Sequence, residues 1–306
     1  MRGSADAGEA TPRVELHLVD ATYELFRAHF APRPPVRGRD GQPLTAVAGL
    51  VGTLLALLRD EGATHVGCAT DRVIRSFRNE LYPGYKSEVG VAPELLAQFP
   101  IAERAIEALG LALWPMVELE ADDALGTAAA RWADHPAVAR ILICSPDKDM
   151  AQCVRGGRVV LRDRRRGLTI DEAGVVAKWG VPPSAIADWL ALVGDAADGF
   201  PGLPGFGAKT AAVLLARYGS LEAVPERAAD WDVLVGRAPL LAATIRDRVA
   251  ELALYRTLAR LRLDAPLPEH DPAELRWRGT PRAAWEAFCD EFGLERLRTR
   301  PHRWLD

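Results

Sequence analysis

Short apolar runs recur through the first 180 residues, separated by stretches in which apolar residues return every three or four positions. VELHLV (14–19) reads as a strand, and residues 22–30 begin a helix. After the Pro- and Gly-rich loop APRPPVRGRDGQP, the run TAVAGLVGTLLALLRDEG has helical periodicity and a stop at Gly62. THVGCAT is the next strand. Residues 72–92 break the pattern, being basic, aromatic and without apolar periodicity. PELLAQFPIAERAIEALG (93–110) is helical again, with a proline interrupting it. LALWPMVEL and ARILICS are two more strands, separated by a helix over 122–134. This alternation predicts an α/β catalytic domain over 13–182, with a mostly parallel sheet flanked by helices. From Pro182 onward the character turns helical: PPSAIADWLALVG, GAKTAAVLLARYG, PLLAATIRDRVAELALYR and PRAAWEAFCDEFGLERL all carry apolar residues at helical spacing. A helical domain over 183–306 is the expectation. Residues 1–12 are small and polar, which predicts a disordered tail and no signal peptide.

Carboxylates stand where the apolar runs end. The first two strands deliver Asp20 and Asp71, the third delivers Glu120, Asp122 and Asp123, and the fourth delivers Asp147 and Asp149. In a parallel sheet these ends share one edge, where open α/β sheets place their ligands. Seven acids there repel one another unless divalent cations sit among them, which predicts a metal-dependent phosphoryl-transfer site. Each acid alone has an ordinary explanation. Acids at helix starts suit the helix dipole, and an isolated DKD is more often a solvated turn. The conjunction at four strand ends carries the argument. Spacing places Glu120 and Asp123 on one helical face with Asp122 aside, so the three could serve two metal positions. Asp147 and Asp149, two apart in an extended segment, could face one site.

Asp195 and Asp198 precede GFPGLPGFGAKTAAVLL (199–215), which has the form of a helix–hairpin–helix. Gly205 and Gly207 let backbone N–H groups approach a phosphate at a helix N-terminus, and Phe206, Lys209 and Thr210 complete the turn. A Walker A loop requires Gly-Lys-Thr, and Ala208 breaks that spacing. Such a hairpin grips backbone without sequence preference. The segment 72–92 interleaves Arg72, Arg75, Arg78 and Lys86 with Phe77, Tyr82 and Tyr85, a mixture suited to a strand threaded past a nuclease site, although a solvated basic loop is the commoner fate of such segments.

Composition changes the picture little: 49% hydrophobic, 26% charged and no apolar run long enough for a membrane span. The net charge of −4 looks unfavourable for a polyanionic partner, yet nine of the 42 acids are those named above, and the other 33 face 38 basic residues. Charge therefore permits DNA. The six histidines form no zinc or catalytic pattern, and no GxSxG is present. The four cysteines have no zinc spacing and read as reduced thiols in a cytoplasmic protein.

LHLVDATYELFRAHF, SFRNELYPGYKSE, ELEADDALGTAA, ILICSPDKDMAQCV and LVGDAADGFPGLPGFGAKTAAVLL together closely resemble the 5′-nuclease family, which comprises the 5′–3′ exonuclease domain of bacterial DNA polymerase I and stand-alone flap endonucleases. The resemblance runs from residue 16 to 215 and implies a PIN-like fold. It implies that the nine acids surround two Mg²⁺ or Mn²⁺ ions, that Lys86 in an arch or clamp contacts the scissile phosphate, and that Phe26 lies near the terminal nucleotide. It also implies a K⁺ ion at the hairpin. The implied activity is two-metal hydrolysis of DNA at 5′ flaps, nicks or frayed 5′ ends, in primer removal and repair. The implied actor is a monomer near the nucleoid, with a DNA polymerase or sliding clamp as candidate partner. Val89 stands where many relatives have arginine, Pro146 where Gly is usual, and Gly199-Phe200 where Asn-Ile is commoner. FCDEFGLERL resembles the close of the nuclease domain, so a stand-alone enzyme is expected. A DNA-junction binder without chemistry and a PIN-type ribonuclease are the alternatives.

Overall fold

The computed structural model describes residues 13–306; the predicted tail lies outside them. The chain opens with β1 (Val14–Asp20), α1 (Ala21–Phe30), α2 (Thr45–Asp60), β2 (His65–Asp71) and the single turn α3 (Arg78–Leu81). Next come α4 (Pro93–Leu96), α5 (Phe99–Ala108), β3 (Ala112–Met116), α6 (Ala121–Trp132) and β4 (Val138–Cys144). β1 and β2 are flanked by helices on both sides, which is why they read as continuous apolar runs: every residue of β2 is buried. The predicted helix over 93–110 is two helices, with Pro100 in the first turn of the second, where its missing N–H costs nothing.

Four strands were expected and six form the sheet, in the order β3-β2-β1-β4-β5-β6. The additions are β5 (Val159–Asp163) and β6 (Leu168–Ile170). β1 to β5 run parallel and β6 antiparallel. The expectation failed here because these strands are short and sit in an arginine-rich stretch. The parallel register places Asp20 and Asp71 at neighbouring strand ends, while β4 ends just before Ser145.

Helices α7 (Glu172–Trp179), α8 (Ile186–Val193), α9 (Ala208–Tyr218), α10 (Ala238–Asp247) and α11 (Val249–Ala259) follow. α10 and α11 were read as one helix, but the backbone at Arg248 leaves the helical region and divides them. α8, α9 and α11 share a core with α6 on one face of the sheet. On the other face α1, α2 and α5 form a second core. α12 (Arg282–Phe292) and α13 (Glu295–Arg298) close the chain, and Trp285, Phe288 and Leu297 insert into that second core. The C-terminal helices thus pack on the α/β layer and not on the helical bundle. Among the described residues no helix is long and apolar enough to cross a membrane.

Candidate active site at the sheet edge

Asp20 ends β1 and caps α1: its Oδ1 accepts from Tyr23 N–H at 2.8 Å and its Oδ2 from Ser145 Oγ at 3.0 Å. Asp71 ends β2 and accepts from the Ala121 N–H at 2.7 Å, at the first residue of α6. Both are buried. Burial, reinforced by Asp71 and Asp147, pushes the Asp20 carboxyl up to about 7 against its two hydrogen bonds. Burial, with Glu120 nearby, pushes Asp71 to about 6 although Lys86 opposes it. Asp122 is raised well above the ordinary range by burial and by Asp147, Asp20 and Asp71. Asp20, Asp71, Asp122 and Asp147 thus form one repelling group.

A second group adjoins it through Asp147. Asp149, Asp195 and Asp198 each offer a carboxylate oxygen, all within 4.8 Å of one another. Asp149 is raised well above the ordinary range by burial, Asp147, Asp198 and Asp195, and Asp198 is raised by burial despite Lys86. Lys148 pairs with Asp195 at 2.8 Å. Lys86 reaches the second group and Glu120 together, its Nζ 2.8 Å from Glu120 and 3.0 Å from Asp198. Burial opposes charge at Glu120, yet Lys86 and Arg78 hold its carboxyl below the usual range.

The pairing of Glu120 with Asp123 on one helical face is present as a reciprocal cap on α6. Glu120 meets Lys86 beside the groups just described, but Asp123 turns the other way. Both Asp123 oxygens accept from Arg78 at 2.8 Å, and further bonds come from the N–H groups of Glu120 (3.0 Å) and Arg262 (2.9 Å). Asp123, expected as a ligand, is saturated by protein donors, and Asp122 is the acid that joins the cluster.

Three residues expected to touch DNA are buried instead. Arg78 is 2% exposed and also donates to the carbonyls of Leu258 and Arg260, tying α3 to the end of α11. Tyr85 packs in the core with its hydroxyl 3.3 Å from Glu120, and Phe206 packs under the hairpin. In each, polar or apolar surface is engaged inside the fold. Arg72 is half exposed and forks onto Glu103 at 2.9 and 2.7 Å. Arg75, Gly205, Gly207 and Lys209 are exposed, and Thr210 is half-buried at the start of α9. Phe26 is half-buried, edge-on to Phe99 at 5.9 Å.

The 72–92 segment docks against the helical domain. Lys86 N–H donates to the Asp198 carbonyl at 2.9 Å, and Tyr82 meets Tyr255 edge-on. Gly199 permits this: its φ is +87°, and a Cβ there would collide with the Gly84 carbonyl. Ser76 and Ser145, which donate to Glu120 (2.6 Å) and Asp20, escaped sequence reasoning. The only signal was their place beside an apolar run or a basic segment.

Among the described residues two buried carboxylate oxygens have no hydrogen-bond partner, Asp122 Oδ1 in the first group and Asp149 Oδ1 in the second. An unpartnered buried carboxylate oxygen is costly unless a cation takes it. An all-oxygen donor set with one such atom in each group fits hard divalent ions such as Mg²⁺ or Mn²⁺.

Comparison with known proteins agrees with this geometry. Residues 15–180 match the 5′-3′ exonuclease N-terminal resolvase-like domain, and residues 181–283 match the 5′-3′ exonuclease C-terminal SAM fold. The chain belongs to the 5′-3′ exonuclease family. Among relatives of this exonuclease family member, the 5′-3′ exonuclease of Streptomyces coelicolor is 34% identical over 305 residues, covering 90% of this chain and 95% of the relative. DNA polymerase I of Rhizobium leguminosarum is 38% identical over 260 residues, covering 82% of this chain but only 25% of that longer protein. The bacteriophage T5 flap endonuclease, solved as a pseudo-enzyme-product complex with DNA and metal ions, shares the fold at a TM-score of 0.61. It is 17% identical, with 94% of this chain and 99% of that one covered.

Proposed function

We propose that this 5′-3′ exonuclease family member is a structure-selective 5′ nuclease that hydrolyses DNA at 5′ flaps, nicks and frayed 5′ ends. Its place would be primer or flap removal and repair. The observation that carries the reading is the pair of partnerless buried oxygens on Asp122 and Asp149, one in each acid group. Asp20, Asp71, Asp122 and Asp147 would hold one divalent ion, and Asp149, Asp195 and Asp198 the other. When bound, such ions supply an activated water and neutralise charge on the phosphate and leaving oxygen.

The chain's own residues supply the remainder. The Lys86 ammonium, poised between Glu120 and Asp198, can transfer a hydrogen bond to a non-bridging phosphate oxygen as negative charge develops there. Glu120 keeps that ammonium charged and near the edge. Exposed Gly205, Gly207 and Lys209 at the α9 N-terminus suit a duplex phosphate, with or without a K⁺ ion, and Arg75 suits the single strand. Because Asp195 and Asp198 immediately precede the hairpin, the grip on duplex and the second ion position are joined by a short stretch of chain.

The test is cleavage of a 5′-labelled flap oligonucleotide during Mg²⁺ or Mn²⁺ titration, with product positions resolved. Metal-dependent cuts near the flap junction are expected. A shifted but uncut DNA would identify a junction binder, and cleavage confined to an RNA strand would identify a PIN-type ribonuclease; either result refutes the proposal.

A further inference from the structure

Beyond Ser145 lies a cavity of about 440 Å³ that the metal edge does not use. It opens between α1, α2, the turn after β4 and the β5–β6 turn. Six arginines line it: Arg27, Arg33, Arg162, Arg164, Arg165 and Arg300. Nearby carboxylates are fewer. Glu24 is engaged by Arg27, and Asp163 is approached by Arg166 at 3.6 Å. Glu61, outside the cavity, holds Arg164 at 2.7 Å and Arg162 at 3.7 Å. Among the described residues Arg33, Arg165 and Arg300 form no ion pair.

The wall opposite the arginines leaves room for Arg33. α2 turns Gly49, Gly52 and Thr53 toward the cavity. A Cβ at Gly49 would collide with the Arg33 guanidinium, while Gly52 faces Arg300 Nη1 at ordinary contact distance. At Gly49 the helix thus gives up side-chain volume where the unpaired Arg33 approaches it. Ser145 and Tyr23 line the same cavity while their Oγ and N–H bond Asp20, so one wall separates a cationic chamber from the anionic edge.

Guanidinium forks match phosphate oxygens in geometry and charge. The volume lies within the range of about 300–1,000 Å³ usual for small-ligand sites, enough for a nucleotide. We infer that this cavity is a nucleotide-phosphate subsite, holding a phosphate close to the bond that the acidic edge cleaves. The inference rests on the nuclease reading above. The phosphate belongs either to the polynucleotide strand or to a released nucleoside monophosphate.

The full chain carrying Arg33→Gln with Arg300→Gln tests it, since both arginines are exposed and without an ion-pair partner. Arg165→Gln, on the exposed β5–β6 turn, repeats the test from another wall. Arg227→Gln controls for surface charge, its side chain being 79% exposed beside Asp230. Flap-DNA binding is measured against salt with Ca²⁺ in place of Mg²⁺, and dAMP binding by calorimetry. If the strand occupies the cavity, DNA affinity falls about tenfold, and the slope of log K against log salt falls by about 0.9 for each phosphate no longer neutralised. If the free nucleotide occupies it, dAMP affinity falls about tenfold with the DNA slope unchanged. Either outcome supports the subsite. Variants matching the Arg227→Gln control in both measurements overturn it. Wild-type chain that binds dAMP or DNA through these arginines yet cuts no flap would sink the nuclease reading alone.

Discussion

Replacing Asp20 by asparagine should stabilise the metal-free protein, and the gain should depend on pH. Burial and the neighbouring Asp71 and Asp147 push this carboxyl from 3.8 to about 7. Each pKa unit is worth about 1.36 kcal/mol, so ionising Asp20 costs the folded, metal-free chain at most about 4 kcal/mol more than the unfolded one. Protons shared with Asp71 and Asp122 distribute that cost over the cluster, leaving about 2 kcal/mol to be recovered at this position. Asparagine keeps the cap, since its carbonyl can accept from Tyr23 N–H as Asp20 does at 2.8 Å. The sign follows from the raised value: the wild-type contribution is fully present below about pH 4 and is lost as pH rises through about 7. The advantage of Asp20→Asn should therefore be small near pH 4, grow toward pH 7 and then level off. Urea unfolding in EDTA across this range measures it. In millimolar Mg²⁺ the order should reverse, because the wild type then gains binding free energy that the variant loses. A variant no more stable than wild type above pH 7 in EDTA, or a gain indifferent to pH, would refute the reasoning.

Three further outcomes are expected. Asp147→Asn or Asp149→Asn should abolish flap cleavage while leaving DNA affinity in Ca²⁺ within a few-fold of wild type, and full activity in either would remove the metal assignment. Arg78→Ala leaves Asp123 buried without its partner and should cost about 3–5 kcal/mol in chemical denaturation; a loss under about 1 kcal/mol would show that the Asp123 pair is not structural. Gly199→Ala forces a side chain onto a backbone at φ +87° against the Gly84 carbonyl. It should loosen the 72–92 segment, read as faster hydrogen exchange at the Lys86 amide, and unchanged exchange there would contradict the docking.

The sheet edge was legible because parallel strands buried on both faces leave unmistakable apolar runs, and the acids follow directly upon them. β5 and β6 were not legible: VVLRD and LTI are short, and β6 lies exposed at the sheet edge with alternation too brief to register. The division of the acids into two groups was only half visible. Spacing paired Glu120 with Asp123, but the guanidinium that claims Asp123 comes from Arg78, 45 residues earlier. An arginine in a basic stretch carries no mark of being buried. Likewise nothing in PRAAWEAFCDEFGLERL says which layer its apolar face will cover, and it returned to the α/β core. The arginine-lined cavity escaped for a similar reason, since its walls come from widely separated stretches of chain.

The central claim, two cation positions divided between these acid groups, is tested most directly by counting bound Mn²⁺ with electron paramagnetic resonance. The wild-type chain should bind two ions, whereas Asp122→Asn and Asp149→Asn should each retain one, with the double variant binding none at the same metal concentration. An unchanged count in both single variants, or no ion bound by the wild type, would contradict the account.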